Sequence, residues 1–202
     1  MAREELSDEG QHRLVTEIAE LFPRQKEWTE EDYFALPETN RLIELSEREL
    51  IMPPHPTPYH QRIVGRLDKS FSSFVEARDL GIILTAPCPV RLWPCKIREP
   101  DIFVFLQQHA DRIGEQFCGP PDLAVEVLSP STRRTDLVEK FAEYAQAAVA
   151  EYWRVYPEEQ IIEVFVLREG AYTLPVKAGR GGKVWSQLLE GFELDVDHVF
   201  AK

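Results

Sequence analysis

The sequence predicts an α/β fold with a mixed central β-sheet flanked by helices, not a doubly wound parallel sheet. Two long helical patterns carry that expectation, one from Pro58 to Leu80 and one from Thr132 to Val149, and strand-like runs lie both before and after them. The third observation is a pair of strand-like runs that each deliver one acid: Asp101 heads the apolar run Ile102–Phe105, and Glu126 interrupts the run Leu123–Leu128.

Residues 1–27 read as an N-terminal helical extension, with Leu14, Ile18 and Leu21 at helical spacing and Pro23 as its stop. Residues 28–202 read as one domain. Thr29 is a plausible N-cap for a short helix. The runs Arg41–Leu45 and Glu49–Met52 suggest paired strands joined by a turn at Ser46–Arg48. A proline-rich connector follows, in which Thr57 suits an N-cap and Pro58 the first helical position. The apolar residues Ile63, Val64, Leu67, Phe71, Phe74 and Val75 then form one helical stripe, with His60 on it. Ile82–Thr85 and Val90–Trp93 read as strands, and residues 107–121 as a loop with a short helix at most. Beyond the second long helix, Tyr152–Tyr156 and Ile161–Leu167 read as a strand pair across Pro157–Glu159. Turns at Glu169–Gly170 and Gly179–Gly182 precede further strands, and Phe192–Phe200 reads as a last short strand or tail.

The chain has 202 residues, 44% hydrophobic and 29% charged, which is ordinary for a globular protein with a sizeable core. It holds no apolar run long enough to cross a membrane and no secretory core at its N-terminus, so a cytoplasmic protein without a membrane partner is expected. Cys88, Cys95 and Cys118 are odd in number and contain no Cys-x-x-Cys pair, which argues for reduced structural thiols rather than a disulfide framework or a thiolate zinc site. The net charge is −12. A basic footprint for nucleic acid is therefore absent overall, and any such role must rest on a local patch or on bound metal.

A carboxylate inside Ala124–Leu128 is expensive to bury unless a cation or hydrogen bonds hold it. A divalent metal shared by Asp101 and Glu126, with Lys140 nearby, accounts for both acids. Other readings stand beside it. Pro-Asp is a common turn signal, and Pro121-Asp122 repeats it. Lys140 lies four residues from Asp136 and could form a surface pair with it. His60 could be a core histidine, or it could bind phosphate, hold a second metal or orient water. Glu44 would point away from Ile43 and Leu45 in a regular strand. The basic stripe Arg62, Arg66 and Lys69 lies opposite His60 and reads as a solvated face, whereas Arg133 and Arg134 sit at a helix start that favours anions. Tyr152, Trp153 and Tyr156 read as core, with base stacking as the alternative.

Taken together, several of these residues form a pattern. Pro100-Asp101, Glu126-Val127-Leu128-Ser129-Pro130, Asp136-Leu137-x-x-Lys140-x-x-x-Tyr144 and Glu151-Tyr152-Trp153 resemble the bacterial putative restriction-endonuclease domain family of the PD-(D/E)XK nuclease superfamily. The upstream segments Ile43–Leu45 and Glu49–Pro54, with His60, are similar too, so the resemblance covers about residues 28–200. It implies a restriction-endonuclease-like fold and Mg²⁺- or Mn²⁺-dependent phosphodiester hydrolysis. Asp101, Glu126 and the Val127 carbonyl would be the metal ligands, and Lys140 would stabilise charge or position water. His60 and Glu44 match as further site residues. The position two after Glu126 is Leu128 where the plain motif has lysine, so Lys140 on the next helix must supply the cation.

The leading expectation is thus a metal-dependent endonuclease acting on DNA, homo-oligomeric by analogy with a dimer favoured. A catalytically inactive nuclease-fold binding or scaffold protein is the alternative, supported by the acidic charge and the displaced lysine. A metal-dependent hydrolase of small phosphoesters is a third.

Overall fold

The computed structural model describes residues 22–37, 41–130 and 134–201. The expected N-terminal helix around Leu14, the start of the second long helix at Thr132, and Arg133 lie outside the described residues. Within them the chain forms a mixed α/β fold. Helix α1 (Glu30–Phe34) is capped by Thr29, whose hydroxyl accepts from the Asp32 amide while Asp32 caps it in return. Strands β1 (Glu44–Ser46) and β2 (Glu49–Ile51) pair antiparallel across a turn in which Glu47 and Arg48 take positive φ. Segment 22–27 is already tied to this hairpin, because Gln25 exchanges two hydrogen bonds with the Leu50 backbone.

Helix α2 (Pro58–Glu76) begins as its sequence predicts, with Thr57 capping and Pro58 in the first turn. It ends earlier than the expected Leu80, because Asp79 adopts φ +51° and Leu80 N–H returns to the Val75 carbonyl. Strand β3 (Gly81–Thr85) starts at once. Gly81 is required there, since a Cβ would lie 1.9 Å from the Phe105 carbonyl oxygen. Next come β4 (Val90–Trp93), β5 (Lys96–Arg98) and β6 (Ile102–Leu106), then a short 3₁₀ turn over Gln107–Arg112 and β7 (Leu123–Val127). A π turn, Thr135–Glu139, leads into α3 (Lys140–Gln146), which stops before Ala148 at φ +60° rather than continuing to Val149. Strands β8 (Glu151–Tyr156), β9 (Ile161–Arg168) and β10 (Ala171–Ala178) form the meander that the turn residues predict. Strands β11 (Lys183–Trp185) and β12 (Glu193–Asp195) pair with each other, and the last segment is a helix, α4 (Val196–Phe200), capped by Asp195.

The central sheet has the order β10-β9-β8-β7-β6-β3, with only the β7–β8 pair parallel. That one parallel pair is what the crossover through α3 demands. Strand alternation sorts the side chains to two faces. Ile102, Val104, Val125 and Trp153 join Ile63, Leu67 and Phe71 of α2 in one core. Phe103, Phe105, Ala124 and Tyr152 join Tyr144 of α3 in the other. A smaller antiparallel sheet, β2-β1-β5-β4, and α1 enclose a third core of Trp28, Tyr33, Leu45 and Ile97. No described helix is long and apolar enough to cross a membrane.

Candidate active site

Alternation along β7 places Glu126 on the same face as Ala124, toward α3. The antiparallel register pairs Ile102 with Val125, so Asp101, one residue before β6, lies beside Glu126. Its Oδ2 accepts from the Val127 N–H at 2.7 Å, and no described residue bonds to its other oxygen. The two acids singled out in the sequence thus stand on neighbouring strands at the same end of the sheet.

Lys140 reaches them. Only 6% exposed, it donates to Glu126 Oε1 at 2.9 Å and pairs with Glu44 Oε1 at 3.1 Å and Asp136 Oδ1 at 3.3 Å. The i,i+4 pair with Asp136 therefore exists, but buried rather than on the surface. The π turn just before Lys140 widens the helix where Asp136 and Lys140 both turn inward, a feature common at functional sites. Tyr144, one turn further, donates its hydroxyl to Glu126 Oε1 at 2.7 Å.

Glu44 is 3% exposed and points away from Ile43 and Leu45, as strand alternation suggests, into this centre. All three residues of β1 are buried, because the small sheet is covered on both sides. Arg98, wholly buried on β5, donates to Glu44 Oε2 at 2.8 Å and grips both oxygens of Glu143 on α3 at 2.7 and 2.9 Å. Sequence reasoning missed Arg98, Glu143 and Glu99. The one signal for Arg98 is its place in a charged run, Lys96–Glu99, directly before Asp101, which reads as a surface turn.

His60, in the first turn of α2, lies 2.9 Å through Nε2 from the Val127 carbonyl and 3.4 Å from Asp101 Oδ2. A carbonyl only accepts, so Nε2 carries a proton. Burial disfavours the imidazolium, but Asp101 and the Val127 carbonyl outweigh it and hold the ring above its ordinary pKa. Burial first, and the like charges of Asp136, Asp101 and Glu44, push Glu126 up despite Lys140. Burial and Glu44 likewise push Glu99 up to about 8. Lys140 is driven the other way: burial opposes its charge, yet Glu126, Glu44 and Asp136 hold it firmly cationic. Around Lys140 the carboxyl groups of Glu126, Glu44 and Asp136 outnumber the one ammonium, and burial resists charging all of them.

These groups line a cleft of about 380 Å³ that includes Glu44, His60, Asp101, Glu126, Val127 and Lys140. The Asp101 carboxylate, Glu126 and the Val127 carbonyl are hard oxygen donors suited to Mg²⁺ or Mn²⁺. Among the described residues no group of three His, Cys, Asp or Glu side chains is arranged to hold a metal ion by itself. A two-carboxylate set completed by backbone and water fits that arrangement and the habit of Mg²⁺. Arg134 is exposed at the start of the π turn. Arg62 and Arg66 donate to the backbone of residues 199–201 and pin the C-terminal segment, so their stripe serves the fold. Tyr152 and Trp153 are fully buried core residues.

No curated protein matches the chain. A crystal structure titled as a putative nuclease belonging to DUF820, from Anabaena variabilis ATCC 29413, has the same fold: TM-score 0.72 at 21% identity, covering 85% of this chain and 97% of that one. A family model described as "Uma2: Putative restriction endonuclease" matches residues 30–197, most of the chain. The chain belongs to that Uma2 family.

Proposed function

We propose that the chain is a metal-dependent endonuclease that hydrolyses DNA phosphodiester bonds, with Asp101, Glu126 and the Val127 carbonyl holding Mg²⁺ or Mn²⁺. The observation that carries this reading is the buried convergence of Glu126, Lys140, Glu44 and Asp136 beside Asp101 at one end of the sheet. Surplus carboxylate around one ammonium is costly in a protein interior unless a further cation shares it. A bound divalent ion would polarise the phosphate and lower the pKa of bound water.

The residues divide the remaining work. Asp101 is fixed by the Val127 N–H, and its free oxygen is available to the ion. Tyr144 and Lys140 fix Glu126 from the α3 side. Lys140 supplies positive charge next to the scissile phosphate, offsetting the repulsion that the acids impose on it. His60, hydrogen-bonded to Val127 and close to Asp101, is placed to orient water or bind the phosphate.

The test is calorimetric titration with Mn²⁺ and Mg²⁺ of wild type and Glu126→Gln, alongside plasmid nicking. Binding and nicking that vanish together in the variant support the reading. Metal binding without nicking of DNA, RNA or a small phosphoester supports instead an inactive nuclease-fold scaffold. Absence of metal binding by wild type sinks the catalytic reading.

A further inference from the structure

A second cleft, of about 530 Å³, adjoins the first and shares Asp101 with it. One wall is α2, through Gln61, Gly65 and Asp68. The opposite walls are the proline connector 53–56 and the end of β3 at Thr85. Its volume lies in the ordinary range for small-ligand sites. Gln61, Gly65 and Asp68 fall at i, i+4 and i+7, so they share one helix face. Gly65 thus forms a flat spot on that face, with a hydrogen-bonding side chain one turn to either side.

The fold does not explain this glycine. It sits in the middle of a 19-residue helix, where glycine is unfavourable. It is exposed, and a Cβ built on it would meet nothing within 4 Å. Neither close packing nor a special backbone angle requires it. Absence of a side chain here leaves the helix backbone open to the cleft, beside Asp101.

The chemistry of the lining selects the occupant. The cleft is mixed in charge, with Arg41 set against Asp68 and Asp101, so it is no track for a polyanionic backbone. It offers an amide at Gln61, a carboxylate at Asp68 and the small, flat surfaces of glycine and proline. Amide and carboxylate side chains are among the groups that read the edges of nucleobases. A base is free to present its face and edge to such a cleft only when it is unpaired.

We infer that this cleft is a subsite for an unpaired nucleobase flanking the scissile phosphate, which gives the enzyme a preference for single-stranded or locally opened substrate. The inference rests on the nuclease reading above. Gly65 is a specificity-determining position: it touches the base, not the reacting atoms.

The experiment uses the full chain with Mn²⁺ and compares wild type, Gly65→Ala and Gly65→Leu. The substrates are a short single strand, its duplex, and the same strand with one abasic position stepped along it. Thermal unfolding and Mn²⁺ calorimetry are measured on each protein. Both substitutions improve helix propensity, so the unfolding midpoint should hold or rise, and Mn²⁺ affinity should not change. The expected result is that wild type cleaves the single strand at least tenfold faster than the duplex at subsaturating substrate. Gly65→Leu should remove that advantage through a rise in KM, Gly65→Ala should have an intermediate effect, and one abasic position next to the cut should impair wild type alone. Wild type that cleaves both substrates, indifferent to Gly65→Leu and to every abasic position, overturns the subsite and leaves the nuclease reading intact. Wild type that binds metal yet cleaves no nucleic acid overturns both.

Discussion

Replacing Arg98 with Met should unlatch the small sheet from α3, and its cost can be worked from the geometry. Arg98 is fully buried and makes three short charge-assisted bonds, two to Glu143 and one to Glu44. Removing one partner of a buried ionic group strands the others, at a cost of ~3–5 kcal/mol. The low end applies, because Lys96 still donates to Glu143 at 2.8 Å and Lys140 still pairs with Glu44 at 3.1 Å. A loss of about 3 kcal/mol corresponds to a fall of roughly 1.5 M in the urea midpoint at a slope near 2 kcal/mol per M. The deficit should depend on pH with a definite sign. Burial opposes ionisation of Glu44 and Glu143, but Lys140, Arg98 and Lys96 hold both below the ordinary 4.5. Carboxylates held low contribute stability that is complete above the unfolded value and is lost as pH falls through the folded one. Wild type and Arg98→Met should therefore differ most at neutral pH and converge as the pH falls through the lowered folded-state range of these carboxyls. Arg98→Lys should rescue little, since lysine lacks the planar fork that grips both oxygens of Glu143 while reaching Glu44. Urea titrations at several pH values decide the matter. A loss under 1 kcal/mol at pH 7, or a deficit that stays constant into acid, would refute the reasoning.

Other residues give sharper, smaller tests. Tyr144→Phe removes the hydroxyl bond to Glu126 and should cost about 1–2 kcal/mol of stability; by loosening a proposed ligand it should also weaken Mn²⁺ binding by about tenfold or more. Calorimetry returning the wild-type affinity would show that Tyr144 only fills the core. Gly81→Ala forces a Cβ against the Phe105 carbonyl, 1.9 Å away, so β3 must shift off β6 and the unfolding midpoint should drop by several degrees. An unchanged melting curve would mean that this edge of the sheet yields freely.

Glu126 was legible in the sequence because an acid within an apolar strand demands a partner, and burial on both faces of the central sheet makes that demand real. Asp101 was legible as a neighbour once its strand was paired with the next. Lys140 was legible only as a residue that could reach back, since wheel geometry sets its face but not its depth. Glu44 shows what alternation leaves out: it points away from Ile43 and Leu45 as expected, but that other face of the three-residue strand is covered rather than solvated, and the acid meets Lys140 there. Arg98 and Lys96 stayed hidden for a related reason. Local composition marks β5 as a polar turn, and only the distant Glu143, brought in by α3, makes its charges fit to bury. The π turn carries no sequence signature, and it governs how Asp136 and Lys140 both face the centre.

The same geometry bears on how an acidic chain can act on a phosphate. An ammonium has three N–H donors, and Lys140 has three carboxylates within 3.3 Å: Glu126, Glu44 and Asp136. In this state the lysine is an internal counter-ion, committed to the acids rather than offered to a substrate. Glu44 is shared with Arg98, so it depends less on Lys140 than Glu126 does. Among the described residues Glu126 has only Lys140 as a cationic partner, with Tyr144 as its other donor. If a divalent ion neutralised Glu126, the pull of that carboxylate on Lys140 would weaken and one donor would turn free toward the cleft. On the proposed reading, metal occupancy and the availability of the lysine are coupled through one carboxylate. That coupling gives a physical reason for a lysine on the helix to replace one on the strand: from α3 it sits across from Glu126, where its partner decides when its charge is exposed.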